Sequence, residues 1–352
     1  MPKNLKIAFV IVLALGLVSC ADQGGLKAGT ATGKSMLKLL PADSRVVLMV
    51  DVHRALASDA AQAALKDPQA KQKYDEFVKT SGLDPMKDIY FLAVAATGTV
   101  GGKDMRGALV LNLRYNKEAF LAKLKEMVKD LREEPYNGVT IYKGPGHQTA
   151  EDQAPSGAFL DDSNIVLGQE KLVRAVIDVY QKKADPVTKN PEMKKYFKAV
   201  NTEAIFWGAA TVPQDLIKAQ ADKNPMLKDL VGLTGLTMSF DYANKMLTVE
   251  VQTLGGTKEQ NKSLAEKLSA VKGMGAMMAG QQPVLGELLA KVEISSGSDN
   301  VKVYAGIPYE LLEKAQKVAQ EKVGQMIQVN PQAGKDEQKE EKKEEKKEEV
   351  KK

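Results

Sequence analysis

Few residues in this chain are of a type and spacing that could do chemistry. The stretch AGTATGKS, 28–35, ends in Gly33-Lys34-Ser35 and fits the loose pattern of a phosphate loop. Such loops work when a strand delivers a Gly-rich turn to a helix N-terminus, whose N–H groups hold the phosphates. No apolar strand pattern precedes this one, so it reads as linker. The two histidines are far apart in sequence. His53 follows Asp51 at the end of an apolar run, where a strand-end hydrogen bond is the expectation; a metal site needs further ligands close by. His147 sits in a Pro/Gly-rich loop near Glu151 and Asp152, a surface position. Asp161-Asp162 could be taken for a carboxylate pair or a Ca²⁺ site. Adjacent residues of a hairpin do not converge, however, and DDSN is good turn chemistry. No G-x-S-x-G occurs, and SGSDN, 296–300, reads as a turn. The sole tryptophan, Trp207, lies in AIFWGAA and is expected in the core. The expectation is a non-enzymatic protein with no catalytic residue, metal or cofactor.

The single cysteine is more informative. Lys3 and Lys6 precede an apolar run from Ile7 to Leu17, and small residues lead to Cys20. The run is shorter than the roughly 20 residues a bilayer core requires, so it reads as a secretory signal rather than a spanning helix. The ending Leu17-Val18-Ser19-Cys20 resembles the lipobox of bacterial lipoproteins. That resemblance covers residues 1–20 and implies cleavage before Cys20, a diacylglycerol on its thiol and acylation of the new amino group. One acyl chain binds a membrane marginally, at ~0.8 kcal/mol per buried CH₂, whereas two or three anchor durably. With Cys20 acylated no thiol is left for a disulfide, metal or catalysis. Ala21 rather than Asp follows the cysteine, which in this family leans toward the periplasmic face of the outer membrane.

The formal charge of +5 includes Lys3 and Lys6, and no basic block or aromatic–basic stripe argues for nucleic acid. Residues 20–34 are expected to form the lipidated cysteine and a flexible tether. Residues 331–352 are expected to form a charged low-complexity tail. Its KKEE repeat sets like charges at i,i+4, which opposes a helix.

The middle of the chain reads as one pattern occurring twice, over 35–185 and 186–330. Apolar β-branched runs mark strands at 45–52, 89–97, 107–115, 138–144, 157–162 and 164–169. Amphipathic helices fall between them, with Phe120, Leu124, Met127 and Leu131 on one face and Leu172, Val173, Val176, Ile177 and Tyr180 on another. The order recurs through strands at 204–210, 236–242, 245–254, 291–296 and 300–306 and a long helix over 257–272. Hairpins dominate. The fold expected is therefore α+β: two tandem repeats of mostly antiparallel sheet with helices packed on one face. Whether the sheets join edge to edge stays open. The stretch LLPADSRVVLMVDV, 39–52, resembles the opening of tandem-repeat bacterial envelope proteins of unknown function, which implies a fold style and an extracytoplasmic setting.

One stretch is unusual in composition. Residues 273–280, GMGAMMAG, extend a helix with glycines, which are costly there, and with methionines, which adapt to apolar surfaces of varied shape. Met274, Met277 and Met278 read either as a pliable lip for an apolar ligand or membrane, or as a loose helix end in the core. The function expected is a membrane-anchored periplasmic lipoprotein that binds a protein partner or an apolar ligand such as a lipid. The alternative is a scaffolding lipoprotein of the envelope.

Overall fold

A computed structural model describes residues 27–100, 102–145 and 155–318. The signal segment, Cys20, the His147 loop and the charged tail lie outside the described residues. Twelve strands form one continuous sheet. In chain order they are β1 (Val46–Asp51), β2 (Ile89–Thr97), β3 (Arg106–Leu113), β4 (Arg132–Tyr136), β5 (Val139–Lys143) and β6 (Pro155–Phe159). The remainder are β7 (Asn164–Gln169), β8 (Phe206–Thr211), β9 (Leu233–Ala243), β10 (Met246–Gly255), β11 (Val292–Ser296) and β12 (Asn300–Pro308). Every neighbouring pair is antiparallel. The α+β class is therefore what the structure shows.

The order across the sheet is β11-β12-β10-β9-β8-β1-β2-β3-β7-β6-β5-β4. Outward from the middle, β8-β9-β10-β12-β11 repeats β1-β2-β3-β7-β6. The two runs meet where β1 pairs with β8, Val46 opposite Ala210, Leu48 opposite Gly208 and Val50 opposite Phe206. Equivalent strands thus pair with each other about a local two-fold axis, and the sheets join edge to edge. The hairpin β4–β5 has no counterpart in the second run.

The helices are α1 (Gly33–Met36), α2 (Val52–Ala57), α3 (Asp59–Ala64), α4 (Pro68–Ser81), α5 (Pro85–Asp88) and α6 (Lys117–Met127). They continue with α7 (Glu170–Tyr180), α8 (Pro191–Ala199), α9 (Gln214–Lys223), α10 (Lys258–Met278) and α11 (Pro283–Ala290). Caps set many of their starts: Asp51, Ser58, Asp67 and Asn116 each accept a first-turn N–H. The helices do not share one face, which corrects the expectation from sequence. On one side α1, α7 and α8 bury Val47, Met49, Phe91, Ala93, Val110, Val166, Trp207 and Ala209. On the other, α6 with Phe77 of α4 buries Leu111, Leu113, Tyr142, Phe159 and Ile165. The cause is the sequence of β2, β3 and β7: their apolar runs are continuous, so both faces need cover.

The segment expected as tether is seated from residue 27 onward. Ala28 N–H donates to Ser163 Oγ at 3.1 Å and Gly29 N–H to Asn112 Oδ1 at 3.3 Å. Thr32 and Ser35 cap each other, and Gly33 lies against the Trp207 indole, where a Cβ would stand 2.9 Å from Nε1. A bulkier residue would push the segment off, so small size here serves packing as well as freedom.

The outer hairpin β4–β5 is tied to α7 by ions. Lys143 Nζ lies 2.7 Å from Glu170 Oε1, Arg174 Nη2 lies 2.6 Å from the same oxygen, and both cations also pair with Glu134. The Arg174 guanidinium stacks over Tyr136 at 4.5 Å. Hydrogen bonds from Lys143 and Arg174 hold the Glu134 carboxyl down at about 2, and Glu170 is lowered as well.

Two outcomes follow from this architecture. Trp207→Ala removes a fully buried side chain at the joint and should cost ~3–5 kcal/mol in urea unfolding. Acid should also weaken the fold. A carboxyl with a depressed folded pKa stabilises above its ordinary value near 4.5 and loses that contribution as pH falls toward 2. The midpoint of thermal unfolding should fall through this window, and less steeply in Glu134→Gln.

Candidate functional site: an open apolar face

Side chains alternate across a strand, and directly paired residues share a face. On the side away from Trp207 the central strands therefore build three rows. One runs Leu92, Val50, Phe206, Phe240, Val249. The next runs Val94, Leu48, Gly208, Met238, Val251, and the third Ala96, Val46, Ala210, Leu236, Thr253. Thr253 is the one polar member. On the Trp207 side, the same strands bury Val47, Met49, Ala93, Ala95 and Ala209 to 2 % exposure or less. On this side Val46, Leu48, Val50, Val94, Leu236, Met238, Val249 and Val251 are all only half-buried, and Phe240 is 37 % exposed. Phe206 and Phe240 pack edge to face at 5.4 Å between ring centres. Leu48 lies over Gly208, where a Cβ would stand 2.5 Å from Leu48 Cδ2. That glycine lowers the floor at the two-fold axis.

The face has a polar rim at one end. Arg54 of α2 donates to Glu203 O at 2.7 Å and to Asp241 Oδ1 at 3.2 Å, and the same Asp241 oxygen accepts Ile205 N–H at 3.2 Å. Tyr242 and Tyr309 meet beside it, their centres 6.1 Å apart. Desolvation, with the carboxylates of Asp59, Glu313 and Glu310 adding to it, raises the Tyr242 hydroxyl above its ordinary value. Along the strands the three rows span five residues, ~13 Å, and from β2 to β10 about 19 Å. A second, smaller apolar slot lies between α6 and β5–β7, lined by Phe120, Leu124, Leu131, Phe159 and Leu167, with room for about one water, ≈ 30 Å³.

The residues singled out in the sequence fall as follows. Met274, Met277 and Met278 are 58 %, 82 % and 80 % exposed. They project from the last turns of α10 and do not join the three rows. Asp51 caps α2 through Arg54 N–H at 2.9 Å, and the His53 ring faces Tyr90 at 5.9 Å. Asp161 closes a turn, accepting from Ser163 N–H and the Asn164 amide at 2.8 Å each. Gly33-Lys34-Ser35 opens a four-residue helix with no strand before it among the described residues. Among the described residues no three His, Cys, Asp or Glu gather as a metal set. No described helix is long and apolar enough to cross a membrane. The three rows themselves escape sequence reading. Each strand's alternation is visible there, but which faces align depends on β1 pairing with β8.

Comparison with known proteins gives the following. Residues 106–318 match the model of a family described as protein of unknown function (DUF3352). No curated protein matches the chain. Alignment with crystal form III of TP0453 gives 12 % identity and a TM-score of 0.45, over 78 % of this chain and 95 % of that one. Crystal form I of the same protein gives 11 % and 0.42, over 78 % and 94 %.

An apolar face left half-open in the folded state should take up an apolar fluorophore at neutral pH, without denaturant. Phe240→Glu should lower the fluorescence enhancement of an anilinonaphthalene sulfonate at least twofold. Because Phe240 is partly exposed, its unfolding free energy should shift by no more than about 1 kcal/mol.

Proposed function

The chain belongs to the DUF3352 family, and from that premise we propose that it is a non-catalytic lipoprotein of the cell envelope that holds an acyl chain on the open face of its sheet. The lipid on Cys20 fixes it to the periplasmic face of the outer membrane, and the folded part does the binding. The observation that carries this reading is the three half-buried apolar rows, Val50–Phe206–Phe240, Leu48–Gly208–Met238 and Val46–Ala210–Leu236. On the opposite side of the same strands the apolar residues are covered by helices, so these rows are the exception within the sheet.

Size favours a lipid chain over a protein partner. The rows offer a footprint of roughly 250 Å², taken from the strand and inter-strand spacings. A stable protein interface buries about 800 Å² on each side. An extended acyl chain needs far less, and it asks for no polar partner, which suits rows whose sole polar member is Thr253. At the rim Arg54 is already paired with Asp241, so the apolar rows carry the binding.

Equilibrium titration of the mature protein with a fluorescent fatty acid tests this. Saturable binding at one site is expected, weakened at least tenfold by Met238→Glu and unchanged by Met105→Glu on the β2–β3 hairpin. Equal affinity in wild type and Met238→Glu would place the ligand elsewhere. For the anchor, labelled palmitate should enter the protein in cells and be lost from Cys20→Ser.

A further inference from the structure

The last turns of α10 and the start of α11 form an apolar tip that the fatty-acid site does not use. Val271, Met274 and Met278 fall at i, i+3 and i+7, one stripe of the helix. They are 60 %, 58 % and 80 % exposed, Met277 beside them is 82 % exposed, and Leu285 of α11 is 39 % exposed. The tip is anchored from behind. At the far end of α10, Asn261 donates to Gly255 O at 3.1 Å, and near the tip Lys272 donates to Val292 O. So α10 runs the length of β11, and residues 273–285 lie past the strand end that holds Val292. Apolar side chains this exposed at the end of a built helix pair are surface for something outside the fold.

Position says what that something is. Ala28 and Gly29 are pinned to Ser163 and Asn112, at the strand end of β3 and β7 that also carries Asp51, Phe206 and Phe240. Val292 pairs with Ala305, which pairs with Val249, which pairs with Phe240. The tip therefore extends from the same end of the sheet at which the chain arrives from Cys20. Six residues separate Cys20 from Lys27, so Cys20 stays within about 28 Å of Ala28. Seven inter-strand steps from β3 to β11 amount to roughly 33 Å. The anchor thus holds the bilayer close to the very end of the molecule that bears the methionines. Methionine suits such a contact, because its flexible side chain beds into disordered acyl chains without a shaped pocket. Gly275 lets α11 pack close behind the tip, since a Cβ there would stand 3.2 Å from Leu289 Cδ1.

We propose that Val271, Met274, Met277, Met278 and Leu285 form a second, non-covalent contact with the bilayer to which Cys20 is anchored, a helix tip lying in the headgroup–acyl boundary. The contact rests on the lipid-anchor reading but not on the fatty-acid site. It would set the molecule down on its lower end, with the rim at Arg54 and Asp241 turned toward the lipid.

The test uses the full acylated protein in vesicles of phosphatidylethanolamine and phosphatidylglycerol, 3:1. Because Cys20 is consumed by the lipid, the Met277→Cys thiol is the sole site for an environment-sensitive dye. Met105→Cys, on the hairpin at the opposite end of the strands and 43 % exposed, is the control. Nitroxide lipids should quench the dye at 277 at least threefold more than the dye at 105, and aqueous iodide should quench it less. Equal iodide quenching at the two sites on floated vesicles overturns the tip contact while leaving the anchor in place. Protection at 277 that rises with protein concentration without vesicles overturns it in favour of a second copy of the chain. Protein that does not float with vesicles overturns anchor and tip together. None of these outcomes moves the effect of Met238→Glu on fatty-acid binding, so failure of either reading is seen separately.

Discussion

The antiparallel pairing of β1 with β8 is the constraint on which the rest depends. It joins the outer edges of two equivalent runs of strands, so neither edge is left to pair with another molecule there. It also fixes which side chains share a face. Because Met49 stands opposite Trp207, Val47 opposite Ala209 and Leu48 opposite Gly208, one side at the joint receives the indole and the other receives a glycine floor. The first side is sealed by α1, α7 and α8 into the larger core. The second is only half-covered. A slip of one residue would exchange the two faces and destroy both.

Distribution of cover then explains distribution of polarity. Beyond the reach of α8, the Trp207 side of β10–β12 turns polar, with Glu250 and Lys302 paired at 3.0 Å. The opposite side of the same strands stays apolar through Val301, Val303 and Ala305, which lie under α10. Solvent-facing rows are polar, covered rows are apolar, and the central rows are apolar without full cover. That exception is what an acyl chain would complete. The tip of α10 is a second exception of a different kind. It projects past the strand end with its side chains 39–82 % exposed, whereas the face lies across the middle of the sheet and is half-buried. The two call for different partners: a chain laid across strands, and a surface on which a helix end rests.

Much of this is legible from residue pattern. The strands at 45–52, 89–97 and 107–115, the paired hairpins and the recurrence of their order all follow from period-two apolar runs and turn residues, and the structure has them in that order. The hairpin β9–β10 turns at Asn244-Lys245, both with positive φ, as a two-residue turn requires. β4 escapes: REEPY is polar and holds a proline, so no strand pattern marks it. Its signal is the Asn137-Gly138 turn that follows, with φ of 51° and 80°. Helices on both faces escape because a continuous apolar run marks a strand without saying what covers each side. The seating of residues 27–34 escapes because small polar residues suit a tether and a tight contact equally. The open face is not legible at all, since the residues in each row come from strands far apart in sequence and meet only through the joint. Met274, Met277 and Met278 stand out by composition alone. Their exposure is a matter of where α10 ends relative to β11, which no local pattern carries.

The central claim is that the half-open face is completed by a lipid chain in the cell. The measurement that tests it most directly is native mass spectrometry of the protein released from its own envelope, in wild-type and Leu48→Glu forms. The account predicts one extra lipid-sized mass per wild-type chain, beyond the covalent acyl groups on Cys20, and its absence from Leu48→Glu when that variant unfolds at a temperature near that of the wild type. A wild-type chain that carries no such mass, or a Leu48→Glu chain that keeps it, would contradict the account.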